Sequence, residues 1–174
     1  MTTGQTPDRP LIDAEDLQRL LGQGPLALVD ATWFPPWMPE AGTGQAAFEA
    51  AHIPGAVFLD IETVSDPDSD LPHTLPDPDG LAIHLGLLGL SPGTPVIVYD
   101  QNRFCASARA WWMLRVAGHP DVRVLDGGLA AWRAAGGAVD RGLSLPTPAQ
   151  FTASPRRDLV ADLDDMIGAV DRGD

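Results

Sequence analysis

The run PVIVY (residues 95–99) constrains the fold more than any other stretch of this chain. It is apolar, β-branched and unbroken, with no residue set aside to face water, so it belongs to a sheet covered on both faces. Sheets of that kind are parallel, and parallel strands need helical crossovers between them. The sequence supplies one at once. A short polar loop, DQNRFC (100–105), leads into the helical pattern ASARAWWMLRVAG (106–118).

The same alternation runs through the chain. LALVDA (26–31), GAVFLDI (55–61) and VRVLD (122–126) predict further strands. AEDLQRLL between a capping Asp13 and a stopping Gly22, AAFEAAH (46–52), DGLAIHLGLLGL (79–90) and GLAAWRAAG (128–136) predict helices. The fold class expected is therefore α/β, a central parallel sheet with helices on both faces. Ligands of such sheets sit at the C-terminal ends of strands, and Asp100 stands at one.

Two segments break the rhythm: TWFPPWMPEAGTGQ (32–45) and SDPDSDLPHTLPDPD (65–79) are too long for simple connectors, and long loops in compact domains are usually functional. At 174 residues the chain is one domain and a little more. Residues 1–142 read as the domain and 143–157 as a linker, while 158–174 resume a helical pattern with Leu159, Leu163, Ile167 and Val170 on one stripe. Such a helix is the opening of a further unit rather than the end of this one.

A net charge of −13, with every one of the 11 basic residues an arginine, argues against nucleic acid and anionic membranes as partners. Without lysine there is no Schiff base and no Walker-type phosphate site. No apolar run approaches a membrane span, and MTTGQTPDRP lacks the pattern of a secretory leader, so a cytoplasmic protein is expected. The single cysteine, Cys105, excludes an intrachain disulfide. His52, His84 and His119 share no ligand spacing, so no metal and no cofactor is implied. His52 reads as a backbone partner, and Asp162, Asp164 and Asp165 read as a solvated helix face. Of the adjacent Trp111 and Trp112, one is expected in the core and the other at a contact between domains.

LVDATWF, AAHIPGAVFLDIETVSD, LPHTLPDP, VIVYD, SARAWWMLRVAGH and VRVLDGGLAAWRAAG, in that order from about Leu11 to Gly136, resemble the N-terminal rhodanese domain of the two-domain thiosulfate/3-mercaptopyruvate sulfurtransferases. HIPGA and LDGG are general to rhodanese domains, whereas the long SDPDSDLPHTLP loop and SARAWW point to the two-domain type. The resemblance implies transfer of sulfane sulfur from 3-mercaptopyruvate or thiosulfate to a thiol or cyanide, through a cysteine persulfide. It places that cysteine in a C-terminal rhodanese domain, the partner expected here. It makes 158–174 the first helix of that domain and this chain catalytically incomplete alone.

The same resemblance assigns His73 and Glu62 to an auxiliary proton relay, with Glu62 where the family usually has aspartate. Asp100, Arg103, Cys105 and Arg109 mark the loop at the nucleophile's equivalent position. A carboxylate cannot form a persulfide, so that loop is expected to be inert. Cys105 follows the strand too late to be the nucleophile and reads as a small apolar residue packed at the loop-to-helix junction. The rival reading makes it a helix-N-terminal thiolate activated by Arg103 or Arg109, and hence a standalone rhodanese. A non-enzymatic rhodanese-like binding module is the other alternative. Arg109 is expected to anchor the loop by holding Asp100.

Overall fold

A computed structural model describes residues 9–173. Residues 1–8, on which the leader expectation falls, and Asp174 lie outside the described residues. A five-stranded, all-parallel sheet is built from β1 (Leu11–Ile12), β2 (Ala27–Asp30), β3 (Val57–Phe58), β4 (Val96–Tyr99) and β5 (Val122–Leu125), in the order β1-β5-β4-β2-β3. The PVIVY strand is the centre, paired to β2 from Ala27↔Val96 to Asp30↔Tyr99 and to β5 from Val96↔Val122. All four of its residues are fully buried.

Successive side chains of β4 point to opposite faces, and two cores result. Ile97 and Tyr99 pack with Leu28 against Leu17 of α1 (Ala14–Leu20), Phe48 of α2 (Gly44–Ala50) and Trp132 of α5 (Gly128–Ala134). Val96 and Val98 pack with Val29 against Leu81 and Leu85 of α3 (Pro78–Leu87) and Met113 and Leu114 of α4 (Ala106–Val116). The helices begin where cap chemistry puts them. Asp13 accepts from the Asp16 amide at 2.7 Å, Thr43 from Ala46, and Asp77 from Asp79 and Gly80.

Two details differ from the sequence expectation, and a third adds to it. Strand β1 carries no periodic signal, being two residues long, and pairs in parallel with the edge of β5. Leu159 belongs to a separate 3₁₀ turn (Arg157–Leu159), so the apolar stripe of α6 (Leu163–Arg172) is Leu163, Met166, Ile167 and Val170, all exposed. Asp162, Asp164 and Asp165 are exposed, as a solvated face requires, and Asp162 and Asp165 in addition form the capping box of that helix.

Residues 143–157 run along the domain. The amides of Ala149, Ser154 and Arg156 donate to the carbonyls of Gly86, Ala117 and Val116, and Phe151 enters the core beside α3 and α4. The two tryptophans of α4 diverge: Trp111 Nε1 donates to Val122 O of β5, Trp112 Nε1 to Leu159 O of the 3₁₀ turn. Truncating Phe151 to alanine should cost about 3 kcal/mol of unfolding free energy, because the void lies between packed helices. Urea unfolding measures it.

His119 lies beside Phe151, with ring centroids 6.1 Å apart, and is 1% exposed. Its Nδ1 accepts from the Asp121 amide at 3.3 Å, so Nε2 carries the proton and donates to Ser91 O at 3.1 Å. Burial holds its pKa below the ordinary 6.5. Between that lowered value and 6.5 the unfolded chain binds more protons than the folded one. Stability should therefore be full above pH 6.5 and decline as pH falls below it. A His119→Gln variant followed through the same range should lose that part of the slope.

Candidate functional site

Strand β4 ends at Tyr99, and neighbouring segments fix the course of the loop beyond it. The Tyr99 hydroxyl accepts from the Ile53 amide at 3.0 Å, and Ile53 lies in the HIPGA turn. Asp30, at the end of β2, is fully buried; its carboxylate accepts from the Thr32 amide, the Thr32 hydroxyl and Gln101 Nε2. Burial raises the pKa of both Asp30 and Tyr99 above their ordinary values. Gln101 also donates to Ala51 O at 2.9 Å, so the base of the 100–105 loop is tied to β2 and to the segment after α2.

The LDGG turn closes on the loop from the other side. Gly127 and Gly128 have φ of 72° and 56°, and a Cβ on Gly128 would run into the Asp100 carbonyl. That approach lets the Leu129 amide donate to Asp100 O at 3.0 Å.

Within this frame Asp100 acts as a cap. Its Oδ2 accepts from the Ser107 amide at 3.1 Å and the Ser107 hydroxyl at 2.6 Å, in the first turn of α4. The carboxylate thus occupies the helix N-terminus, where an anionic ligand would otherwise find amide donors. Arg109 does not hold Asp100, contrary to the sequence expectation. Positions 107 and 109 lie about 200° apart around a helix, so a residue that faces away from Ser107 cannot reach the same carboxylate. Arg109 instead donates to His73 O at 2.5 Å and covers the Trp112 ring at 4.5 Å. Burial lowers its pKa from the ordinary guanidinium value.

Cys105 also departs from expectation. It is exposed, not packed, and takes a left-handed conformation (φ 56°) just before α4. Its Sγ reaches Arg103 O at 3.6 Å. Arg103 offers it that carbonyl, and Arg109 is engaged elsewhere.

The long loop brings His73 and Glu62 together. His73 Nε2 and Glu62 Oε1 are 2.9 Å apart, with side chains 30% and 52% exposed. Glu62 is placed by Asp60, whose carboxylate accepts from the Glu62 amide at 3.0 Å. His73 is placed by a loop bonded to itself, the Asp66 amide donating to Thr74 O at 2.9 Å and the Ser69 hydroxyl meeting the Thr74 hydroxyl at 2.8 Å. Arg109 completes the support from α4. His73 and Cys105 are the two non-glycine residues with positive φ among the described residues, and such strain gathers at functional sites.

The hydrogen bond from His73 is the largest influence holding Glu62 below the ordinary carboxylate pKa, and one from Trp33 adds to it. Trp33 was not singled out from the sequence. TWF places an aromatic residue after the buried Asp30 but says nothing of where its ring will lie. An open cleft of about 520 Å³, lined by Trp33, Phe34, Met38, Phe58, Asp60 and Glu62 among others, adjoins the pair. His52 and His84 are spent on backbone, each through Nδ1, to Phe48 O and Gly80 O. No helix among the described residues is long and apolar enough to cross a membrane.

Comparison with known proteins places these features in a family. The model of the rhodanese-like domain matches residues 13–135. The thiosulfate/3-mercaptopyruvate sulfurtransferase 1, mitochondrial, of Arabidopsis thaliana is 37% identical over 143 residues, covering 82% of this chain and 37% of the relative. The 3-mercaptopyruvate sulfurtransferase of Homo sapiens is 39% identical over 143 residues, covering 80% and 47%. The crystal structure of SseA from Escherichia coli, described as a 3-mercaptopyruvate sulfotransferase, superposes with a TM-score of 0.87 at 32% identity, covering 95% of this chain and 63% of that one. The chain spans less than half the length of either curated relative.

The capping role of Asp100 is open to direct measurement. Asp100→Ala should lower the unfolding free energy by about 1–2 kcal/mol, since the buried Ser107 hydroxyl and its amide both lose their acceptor. Asp100→Asn, which keeps an acceptor oxygen, should recover part of that loss.

Proposed function

The chain belongs to the rhodanese-like domain family, and we propose that it is the half of a 3-mercaptopyruvate-type sulfurtransferase that lacks the nucleophile. In this reading a cysteine thiolate on a second rhodanese domain takes a sulfur atom from 3-mercaptopyruvate or thiosulfate and holds it as the sulfane sulfur of a persulfide. It then passes the sulfur to a thiol or cyanide. A cytoplasmic setting is part of the reading, although the plant relative carries a mitochondrial name. The observation that carries it is the 2.9 Å contact between His73 and Glu62, half-open to solvent, beside a β4 loop whose leading residue is a carboxylate.

The chemistry asks for such a pair. When a thiolate attacks the donor sulfur of 3-mercaptopyruvate, an S–S bond forms, the C–S bond breaks, and the bonding electrons leave on carbon as the enolate of pyruvate. One proton must move from the donor thiol to that carbon. His73 is suited to carry it, with Glu62 accepting from Nε2–H, fixing the tautomer and stabilising the transient imidazolium. Thiosulfate makes no such demand, because sulfite departs with its electron pair and needs no proton on carbon.

The two donors therefore separate a relay from a wall. Mixed with or fused to a cysteine-bearing rhodanese domain, this chain should support turnover of both. His73→Ala should lower the 3-mercaptopyruvate rate by roughly 10²-fold and leave the thiosulfate rate within a few fold. Equal losses with both donors would remove the relay and leave only a wall between domains. The exposure of Cys105 favours one second reading, a standalone rhodanese, which predicts turnover by this chain alone that vanishes in Cys105→Ser. No turnover by the unmixed chain is the outcome expected here.

A further inference from the structure

Glu62 is more than half exposed, and an exposed glutamate does not hold one rotamer without help. The help comes from Trp33. Its Nε1–H donates to Glu62 Oε1 at 2.6 Å, the same oxygen that meets His73. Its ring stands edge-on to the His73 imidazole, at 5.2 Å between centroids and 89° between planes. One side chain therefore touches both members of the pair.

Trp33 is itself rigidly held. Its ring packs against the core cluster that contains Val29, Val98 and Met113. Its backbone oxygen accepts from Asn102 Nδ2 at 2.8 Å, which ties it to the loop after β4, and Phe104 of that loop meets the ring edge-on at 6.1 Å. An indole donates and never accepts, so it can hold the carboxylate without competing for the imidazole proton. With Glu62 fixed on Nε2, the nitrogen of His73 left for a substrate proton is Nδ1.

We propose that Trp33 is a positioning residue for the His73–Glu62 pair, its indole N–H anchoring the carboxylate from the core so that the imidazole presents Nδ1. The proposal rests on the proton-relay reading for its functional meaning, but its physical content is a property of this chain alone. The position that supplies the indole also lies on the path from the Asp100 loop to the relay, through Asn102. The loop without a nucleophile thereby helps set the geometry of the pair.

The test is a carbon-detected NMR titration of the Glu62 carboxyl in the whole chain, with the melting temperature recorded beside it. In Trp33→Phe, which keeps an aromatic ring and removes the donor, the Glu62 midpoint should move upward, because the ionised form loses a hydrogen bond. In Trp37→Phe, whose ring touches Trp33 but not Glu62, it should stay where it is in the wild type. An unmoved Glu62 midpoint in a folded Trp33→Phe would overturn the proposal.

If Trp33→Phe does not fold, the wild-type chain decides. The Trp33 indole proton should titrate with Glu62 and move upfield in Glu62→Gln; an indole resonance indifferent to both would be equally fatal. In the two-domain mixture, Trp33→Phe should lower 3-mercaptopyruvate kcat roughly tenfold, and adding it to His73→Ala should cost nothing more. Full additivity would contradict positioning through His73. A moved Glu62 midpoint in a mixture that never turns over would retire the sulfurtransferase reading and leave Trp33 as the anchor of the pair.

Discussion

Strand β4 has no face to show to water, and the rest of the molecule is arranged around that. With all four residues of Val96–Tyr99 fully buried between β2 and β5, helices must cover both sides of the sheet. Alternate residues of one short strand then feed two separate cores. Because β4 is central, the loop that leaves it is tied through Gln101 to Asp30 and Ala51 on one flank and bounded by the LDGG turn on the other. The loop is thus held on two sides by polar contacts that would be costly to leave unmade.

That rigidity is spent on a structural role at Asp100 and an exposed one at His73. The Asp100 carboxylate fills the helix N-terminus and is satisfied by Ser107. A few residues away the same loop, through Asn102, fixes Trp33, and Trp33 fixes Glu62. Arg109, on the far side of α4 from Ser107, reaches the carbonyl of His73. Helix α4 thus serves two loops at once, with Ser107 on one side and Arg109 on the other. The separation around the helix explains why neither side chain can do the other's task.

Much of this was legible in the sequence, and the remainder was hidden for definite physical reasons. The apolar runs gave the parallel sheet because a strand buried on both faces leaves an unmistakable pattern, and Asp13 marked the start of α1 because a cap residue acts locally. Strand β1 was invisible because two residues have no period. The exposure of Cys105 has no signal in the sequence, since a small thiol suits a junction and its left-handed backbone is not written in residue types. Proximity in sequence points Arg109 at Asp100, but the turn of the helix carries it to His73 instead. His73 and Glu62, 11 positions apart, came from the resemblance of their loop to a family, and their contact could not have been derived from spacing. Trp33 escaped for the same reason, since its indole meets Glu62 across 29 positions.

The central claim is that this chain helps a sulfur atom move without ever carrying it. Intact-protein mass spectrometry after exposure to 3-mercaptopyruvate, first of the chain alone and then of the chain mixed with a cysteine-bearing rhodanese domain, tests that claim most directly. The account predicts a mass gain of one sulfur atom on the companion's cysteine and none on this chain. A sulfur adduct that maps to Cys105 would contradict it.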